Sequence, residues 1–145
     1  MPDRETLERA HEDAREGKSP STQGGEFVRE EFDHIREGKH GARSPQQAIA
    51  IGLSKARRAG VKLGPPKKGS ASVRRKAEQD TEAGEHRHKP SRRRSRATEN
   101  ALKRESRKSA SPQAISRQAK KSAAQRGKSA RSAAAKKAAR TRKAA

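Results

Sequence analysis

Large apolar side chains are concentrated between residues 26 and 63, and their spacing predicts a pair of helices there. Val28, Phe32 and Ile35 recur at i, i+4 and i+7, which gives the first helix, residues 26–37, one apolar face. A second helix is predicted after a short loop, so the segment should form a helical hairpin around a small core. The predicted core consists of Phe27, Val28, Phe32, Ile35, Ile49, Ile51, Leu53, Val61 and Leu63.

The second helix has a well-marked start in the sequence Ser44-Pro45-Gln46-Gln47. Serine is a good N-cap, proline fits the first helical position, and Gln47 completes a capping box. Ile49, Leu53 and Ala56 share one face of this helix. Ile51 lies about 200° from Ile49, so we expect it to face a second surface or a partner chain.

Outside the hairpin, large apolar side chains are too sparse to predict a packed core. Leu7 is the only one in the segment 3–16, so a helix there should fray in water. Residues 18–25 (KSPSTQGG) are predicted to be a flexible linker. The predicted fold is therefore mostly disordered, with a small all-α unit. Three regions are expected: an acidic head and linker at 1–25, the hairpin at about 26–63, and a basic low-complexity tail at 64–145, disordered when free.

Composition supports this interpretation, because only 27% of the 145 residues are hydrophobic, against about 45–50% in ordinary globular domains. A chain of this kind buries too little surface to offset the entropy of ordering every residue. Two segments of the tail, 71–83 and 97–110, should form transient helices, and 87–96 should be a basic linker between them.

The net charge of +21 is placed unevenly along the chain. Residues 1–37 carry 6 basic and 11 acidic side chains, whereas residues 86–145 carry 21 basic and 2 acidic ones. An acidic head followed by a strongly basic tail indicates a polyanionic partner. A membrane surface is not expected to be that partner, because the tail lacks the Trp, Phe or Leu face that amphipathic membrane helices use.

Nucleic-acid phosphates are thus the predicted ligand, and the candidate contacts are basic side chains in two places. Lys55, Arg58 and Lys62 are spaced at i, i+3 and i+7, which places them on one stripe. The candidates near this helix are Arg43, Lys55, Arg57, Arg58 and Lys62. The candidates in the tail are Arg92, Arg93, Arg94, Arg96, Lys120, Lys121, Arg126, Lys128, Arg131, Lys136, Lys137, Arg140, Arg142 and Lys143.

No pattern in the sequence predicts catalysis, a metal site, a cofactor or a small-molecule substrate. Cysteine is absent. His86 and His88 are the histidines with ligand-like spacing, and we expect both to be solvated. Glu30 and Glu31 are expected on an exposed helical face, where nothing would turn them into an acid–base pair. The protein is therefore predicted not to be an enzyme.

A weak internal repeat begins at Ser111-Pro112-Gln113-Ala114-Ile115, which resembles the start of the second hairpin helix. In this copy Arg117 and Ala119 stand where the hairpin has Ile51 and Leu53. We expect the copy to keep the helix start and to fold only against phosphate, because the residues of the core face are missing.

Two resemblances are carried by these segments. The block from Gly38 to Gly60, GKHGARSPQQAIAIGLSKARRAG, resembles a family of short basic bacterial proteins, some of which carry a DNA-binding or plasmid-stabilisation label. The stretch 131–140, RSAAAKKAAR, is similar to bacterial histone-H1-like tails. Together they imply a bacterial cytoplasmic, nucleoid-associated protein.

The predicted function is non-specific nucleic-acid binding by phosphate neutralisation, of the histone-like or nucleoid-associated DNA-binding kind. Two alternatives stay open. Charge alone does not separate DNA from RNA, so an RNA- or ribosome-associated protein is the first. The second is a protein-interaction module that forms a homodimer through the hairpin, with the basic tail serving only to localise it.

Overall fold

The computed structural model describes residues 1–86 and 91–144, which are helical over most of their length. The chain divides into an N-terminal unit, Met1–Ala110, and a C-terminal unit, Ser111–Ala145. A 3₁₀ helix at Arg107–Ala110 ends the N-terminal unit. The α-helices of the described residues are α1 Arg4–Arg15, α2 Pro20–Arg36, α3 Pro45–Arg58, α4 Ala71–His86, α5 Arg92–Lys103, α6 Pro112–Arg126 and α7 Lys128–Ala144.

The prediction of a mostly disordered chain with a disordered basic tail is wrong, and so is the description of the protein as intrinsically disordered. Helices α4 to α7 occupy most of the predicted tail. Two physical reasons explain the difference. The N-terminal unit packs through small residues and buried ion pairs, which a count of large apolar residues does not register. The C-terminal unit is rich in Ala, Lys, Arg and Gln, which are among the best helix formers.

The predicted linker at 18–25 is also largely helical, because α2 begins at Pro20. Gly24 lies buried inside this helix, and a Cβ atom built on it would be 2.8 Å from Cδ1 of Leu63. The missing side chain thus lets Leu63 fold back onto α2. Helix α1 packs against α2 and buries Thr6 and Ala10, so it is not the solvated, fraying helix that its single leucine predicts.

The core of the N-terminal unit is built where α1, α2 and α3 meet. Its buried members are Ala10, Phe27, Ala56 and Val61, with Leu7, Ala59 and Leu63 packed against them. The inner face of α3 is formed by small residues, Ala48, Gly52 and Ala56. A Cβ on Gly52 would lie 2.7 Å from the Cα of Val28, so α2 and α3 touch backbone to backbone.

This close approach corrects the predicted core of the hairpin. Phe27, Phe32 and Ile35 are buried as expected. Ile49, Ile51 and Leu53 are only partly buried, because the small residues between them face α2 instead. The apolar spacing located the helix but assigned its inner face to the wrong residues.

Helix α4 covers the second face of α3. Ser54 and Arg58 of α3 bind the carboxylate of Asp80, which is 2% exposed. Ile51, Ser54 and Arg58 are spaced at i, i+3 and i+7, so Ile51 lies on the same face of α3 as the other two. The sequence left two alternatives for this face, a second surface or a partner chain, and in the structure the face contacts α4 of the same chain. Whether the protein forms a homodimer stays a prediction.

The end of α5 is hydrogen-bonded to the loop between α2 and α3. The backbone amide of Gly41 donates to the carbonyl oxygen of Leu102 at 2.9 Å, and that of Ala42 donates to Ser106 at 3.1 Å. The predicted basic linker at 87–96 is helical from Arg92 onwards, and its first part, 87–90, lies outside the described residues.

In the C-terminal unit, α6 and α7 contact each other. The start of α6 follows the predicted signal, since the Ser111 hydroxyl accepts a hydrogen bond from the amide of Ala114, as Ser44 does from Gln47. Neither α6 nor α7 has a buried residue. Within 1–86 and 91–144, no helix is long and apolar enough to cross a membrane.

Candidate nucleic-acid interface and a buried charge cluster

Three of the five predicted phosphate contacts near α3 are engaged inside the N-terminal unit. Nζ of Lys55 lies 3.2 Å from Oε1 of Glu30 and 2.7 Å from Oε2 of Glu31. Arg58 binds Asp80 through Nε at 2.9 Å. Arg57 is 9% exposed and donates to backbone carbonyl oxygens beyond the end of α3. Because these three side chains are engaged within the fold, they are less available to bind phosphate.

The other two contacts predicted near α3, Arg43 and Lys62, have exposed side chains. Arg43 lies in the loop before α3. Lys62 lies beyond the end of the helix at Arg58, so it does not continue the predicted stripe of Lys55 and Arg58. The structure therefore provides no continuous basic stripe on α3.

Glu30 and Glu31 are buried, which contradicts the prediction that they lie on an exposed face. Their side chains are 2% and 1% exposed. Burial lowers the pKa of the Lys55 ammonium, but the ion pairs with Glu31 and Glu30 raise that pKa by more, so it lies above its usual value. Lys55 is thus held as a cation between two buried carboxylates.

Two histidines extend this cluster. Nε2 of His34 lies 2.9 Å from Oδ2 of Asp3, and Nε2 of His40 lies 3.2 Å from Oε1 of Glu31. The hydrogen bond from His34, opposed by partial burial, holds the pKa of Asp3 below its usual value. This cluster was not predicted from the sequence, although Glu31 and His34 at i and i+3 have a spacing seen in metal-binding helix bundles.

Asp80 of α4 is another buried carboxylate, and its hydrogen bonds join α4 to α3. It accepts hydrogen bonds from Ser54, Arg58 and Lys76. Burial raises the pKa of Asp80, but these three donors lower it by more, so the pKa lies below its usual value. Arg58 and Lys76 are therefore bound to a carboxylate that stays ionised at neutral pH.

The candidates on α5, Arg92, Arg93, Arg94 and Arg96, are all exposed, and the helix has no buried residue. Lys103 at its end pairs with Glu99 at 2.7 Å. The first turn of α5 therefore adds a compact group of arginines to the surface of the N-terminal unit.

The C-terminal unit contains eleven basic side chains and no Asp or Glu. Each of the eleven is exposed, in contrast with the basic residues around α3. The group consists of Arg117 and the predicted contacts Lys120, Lys121, Arg126, Lys128, Arg131, Lys136, Lys137, Arg140, Arg142 and Lys143. With no carboxylate in the unit to pair with them, these cations make this surface the strongest candidate for binding a polyanion.

Helix α7 concentrates seven of these cations within 17 residues, a length of about 25 Å. Its uncharged side includes Ala130, Ala134 and Ala138, which are spaced at i, i+4 and i+8. The basic residues occupy the remaining, wider arc. Because duplex DNA has about one negative charge per 1.7 Å of axis, a helix with this charge density can face several phosphates at once.

Comparison with known proteins gives one partial match. A family model described as "Family of unknown function (DUF6496)" matches residues 22–68, which comprise most of α2, the following loop and α3. No curated protein and no solved structure was found to match the chain. The histone-like and DNA-binding descriptions thus gain no support from these comparisons, and the chain is similar to the family of unknown function over that segment alone.

Proposed function

We propose that this protein binds the phosphate backbone of nucleic acid without strong sequence preference, through the exposed basic helices of its C-terminal unit. The observation that carries the proposal is the set of eleven exposed Lys and Arg side chains in a unit without a single acidic residue. Cations of this kind release the counterions condensed on a polyanion, which supplies affinity without base contacts.

The helical state of α6 and α7 changes the mechanism expected from the sequence. Seven cations of α7 are already arranged on a helix, so binding to a duplex does not require this segment to be ordered first. Less conformational entropy is lost on binding than for a disordered tail. The N-terminal unit serves as a folded support, since its basic residues around α3 are largely engaged with Glu30, Glu31 and Asp80.

The proposal predicts that Lys136→Gln/Lys137→Gln/Arg140→Gln weakens binding to a short DNA duplex at low salt by roughly 100-fold, because three phosphate contacts are lost. Glutamine keeps a similar helix propensity, so α7 should stay intact. Fluorescence anisotropy with the full chain measures the affinity, and circular dichroism checks the helix content.

A matched control removes the same charge from the N-terminal unit. Arg15→Gln/Lys67→Gln/Lys68→Gln changes three exposed residues and should alter the affinity by only about threefold, because long-range charge effects are screened over about 10 Å in salt. Equal losses in both variants would show that net charge alone, and not the C-terminal helices, determines binding. Competition with duplex RNA tests the alternative partner, which would bind more tightly than DNA if the protein were RNA-associated.

A further inference from the structure

The charge cluster of the N-terminal unit brings together three residues of metal-ligating type. Glu31 and His34 come from α2, and His40 comes from the loop that follows it. One ligand atom of each lies within 4.8 Å of those of the other two. Glu31 and His34 are buried and His40 is partly buried, so the three side chains converge inside the unit and not on its surface.

Both histidines have one ring nitrogen held by an acceptor outside this triad. Nε2 of His34 donates to the carboxylate of Asp3 at 2.9 Å, and Nδ1 of His40 donates to the backbone carbonyl of Gly41 at 3.0 Å. The other two ring nitrogens face carboxylates: Nδ1 of His34 lies 4.0 Å from Oε1 of Glu30, and Nε2 of His40 lies 3.2 Å from Oε1 of Glu31. Metal-binding histidines are oriented in this way, with the outer N–H donated to a carboxylate or a backbone carbonyl.

His40 and Glu31 meet inside the cluster. Because Nδ1 of His40 donates to the carbonyl oxygen of Gly41, Nε2 is the nitrogen that faces Oε1 of Glu31, at 3.2 Å. The second oxygen of this buried carboxylate, Oε2, has no hydrogen-bond partner, although Nζ of Lys55 is at ion-pair distance. A metal ion between the nitrogen and Oε1 would bind both atoms at once.

The charges of the cluster favour a cation. Asp3, Glu30 and Glu31 contribute three negative charges, while Lys55 and Lys39 contribute two positive charges. An excess of buried negative charge is costly, so the cluster favours uptake of a cation.

We propose that Glu31, His34 and His40 bind a divalent transition-metal ion of the Zn²⁺ type. The ligands are Oε1 of Glu31, Nδ1 of His34 and Nε2 of His40. Two imidazole nitrogens and one carboxylate oxygen suit Zn²⁺, and water completes the tetrahedron. Asp3 and the Gly41 carbonyl orient the histidines, while Lys55 holds the other oxygen of Glu31.

One of the three ligands lies at a cleft. The cleft, of about 210 Å³, is lined in part by Asp3, Glu30 and His34, so this edge of the cluster is reachable from solvent. The three ligands belong to the N-terminal unit, whereas the proposed nucleic-acid contacts belong to the C-terminal unit, so the two proposals are based on different residues.

The test is a titration of the full chain with zinc chloride after treatment with a chelator and dialysis. We expect one equivalent of zinc that remains bound through a second dialysis. His40→Gln should weaken zinc binding by at least about tenfold. His86→Gln/His88→Gln, which removes the pair with ligand-like sequence spacing, should leave it unchanged.

Two further measurements test the site without the His40→Gln variant, in case that substitution alters folding. In NMR spectra of the native chain, zinc should shift the imidazole proton resonances of His34 and His40. The resonance of His11, which is exposed on α1, should not shift. Asp3→Ala should weaken binding about 10–100-fold, because the acceptor that orients His34 is lost. The proposal is overturned if the native chain retains no zinc, or if the resonances of His34 and His40 do not respond.

Discussion

Replacing Lys55 by methionine should lower the free energy of unfolding of the N-terminal unit by about 3–5 kcal/mol. The substitution keeps an unbranched side chain as far as Cε but removes the ammonium that lies between the buried carboxylates of Glu30 and Glu31. The cost arises mainly because two buried negative charges lose their cation, and less because an attractive contact is lost. Hydrogen exchange of the α2 amides in the metal-free chain measures the loss locally.

The effect of Lys55 has a defined pH dependence. The pKa of its ammonium is raised in the folded state, so its contribution is complete below the unfolded pKa of about 10.4 and is lost as the pH rises through the higher folded pKa. The difference between the native chain and Lys55→Met should therefore be constant from about pH 7 to 9 and decrease above about pH 10.4. Lys62→Met, at an exposed position, is the control and should change stability by less than about 0.5 kcal/mol. Equal stability of the two variants would contradict the buried ion pairs.

A second large effect is expected where α2 and α3 touch. Gly52→Ala should destabilise the N-terminal unit by about 2–3 kcal/mol, because the added Cβ meets the backbone of Val28 at 2.7 Å and that of Phe27 at 2.9 Å. Backbone atoms cannot move aside as a side chain can, so the helices must separate. Urea denaturation followed by circular dichroism measures the loss.

Gly25→Ala is the matched control for this prediction. Gly25 also lies inside a helix, but a Cβ built on it has nothing within 4 Å. Alanine there should stabilise the protein by about 0.5–1 kcal/mol through helix propensity alone. The same substitution thus has opposite signs at two helical glycines, and a gain in stability at Gly52 would contradict the backbone contact between α2 and α3.

The sequence allowed some helix boundaries to be predicted because their signals are local. Ser44-Pro45 and Ser111-Pro112 start α3 and α6, and each serine hydroxyl accepts the expected hydrogen bond from the chain. Ser19-Pro20 has the same form and starts α2, but the polar Ser-Thr-Gln-Gly-Gly sequence after it favoured a linker. Gly24 in this helix is packed against Leu63, a contact between residues that are far apart in sequence.

The buried charges could not be predicted because their partners are distant in sequence. Glu31 meets Lys55 from the next helix, and Asp80 meets Arg58 from the preceding helix, 22 residues earlier. In the sequence alone these residues are indistinguishable from a solvated charged surface. For the same reason, the sequence predicts that Lys55 and Arg58 contact phosphate. In the structure, Lys55 forms ion pairs between α3 and α2, and Arg58 forms one between α3 and α4.

The central claim, that exposed cations of the C-terminal unit bind nucleic-acid phosphates, is tested most directly by the salt dependence of duplex DNA binding. If about seven of the eleven cations contact phosphates, the logarithm of the association constant should fall with the logarithm of salt concentration with a slope of about −6. Lys136→Gln/Lys137→Gln/Arg140→Gln should reduce this slope to about −3 to −4. A slope shallower than about −2 for the native chain, or an identical slope for the variant, would contradict the account.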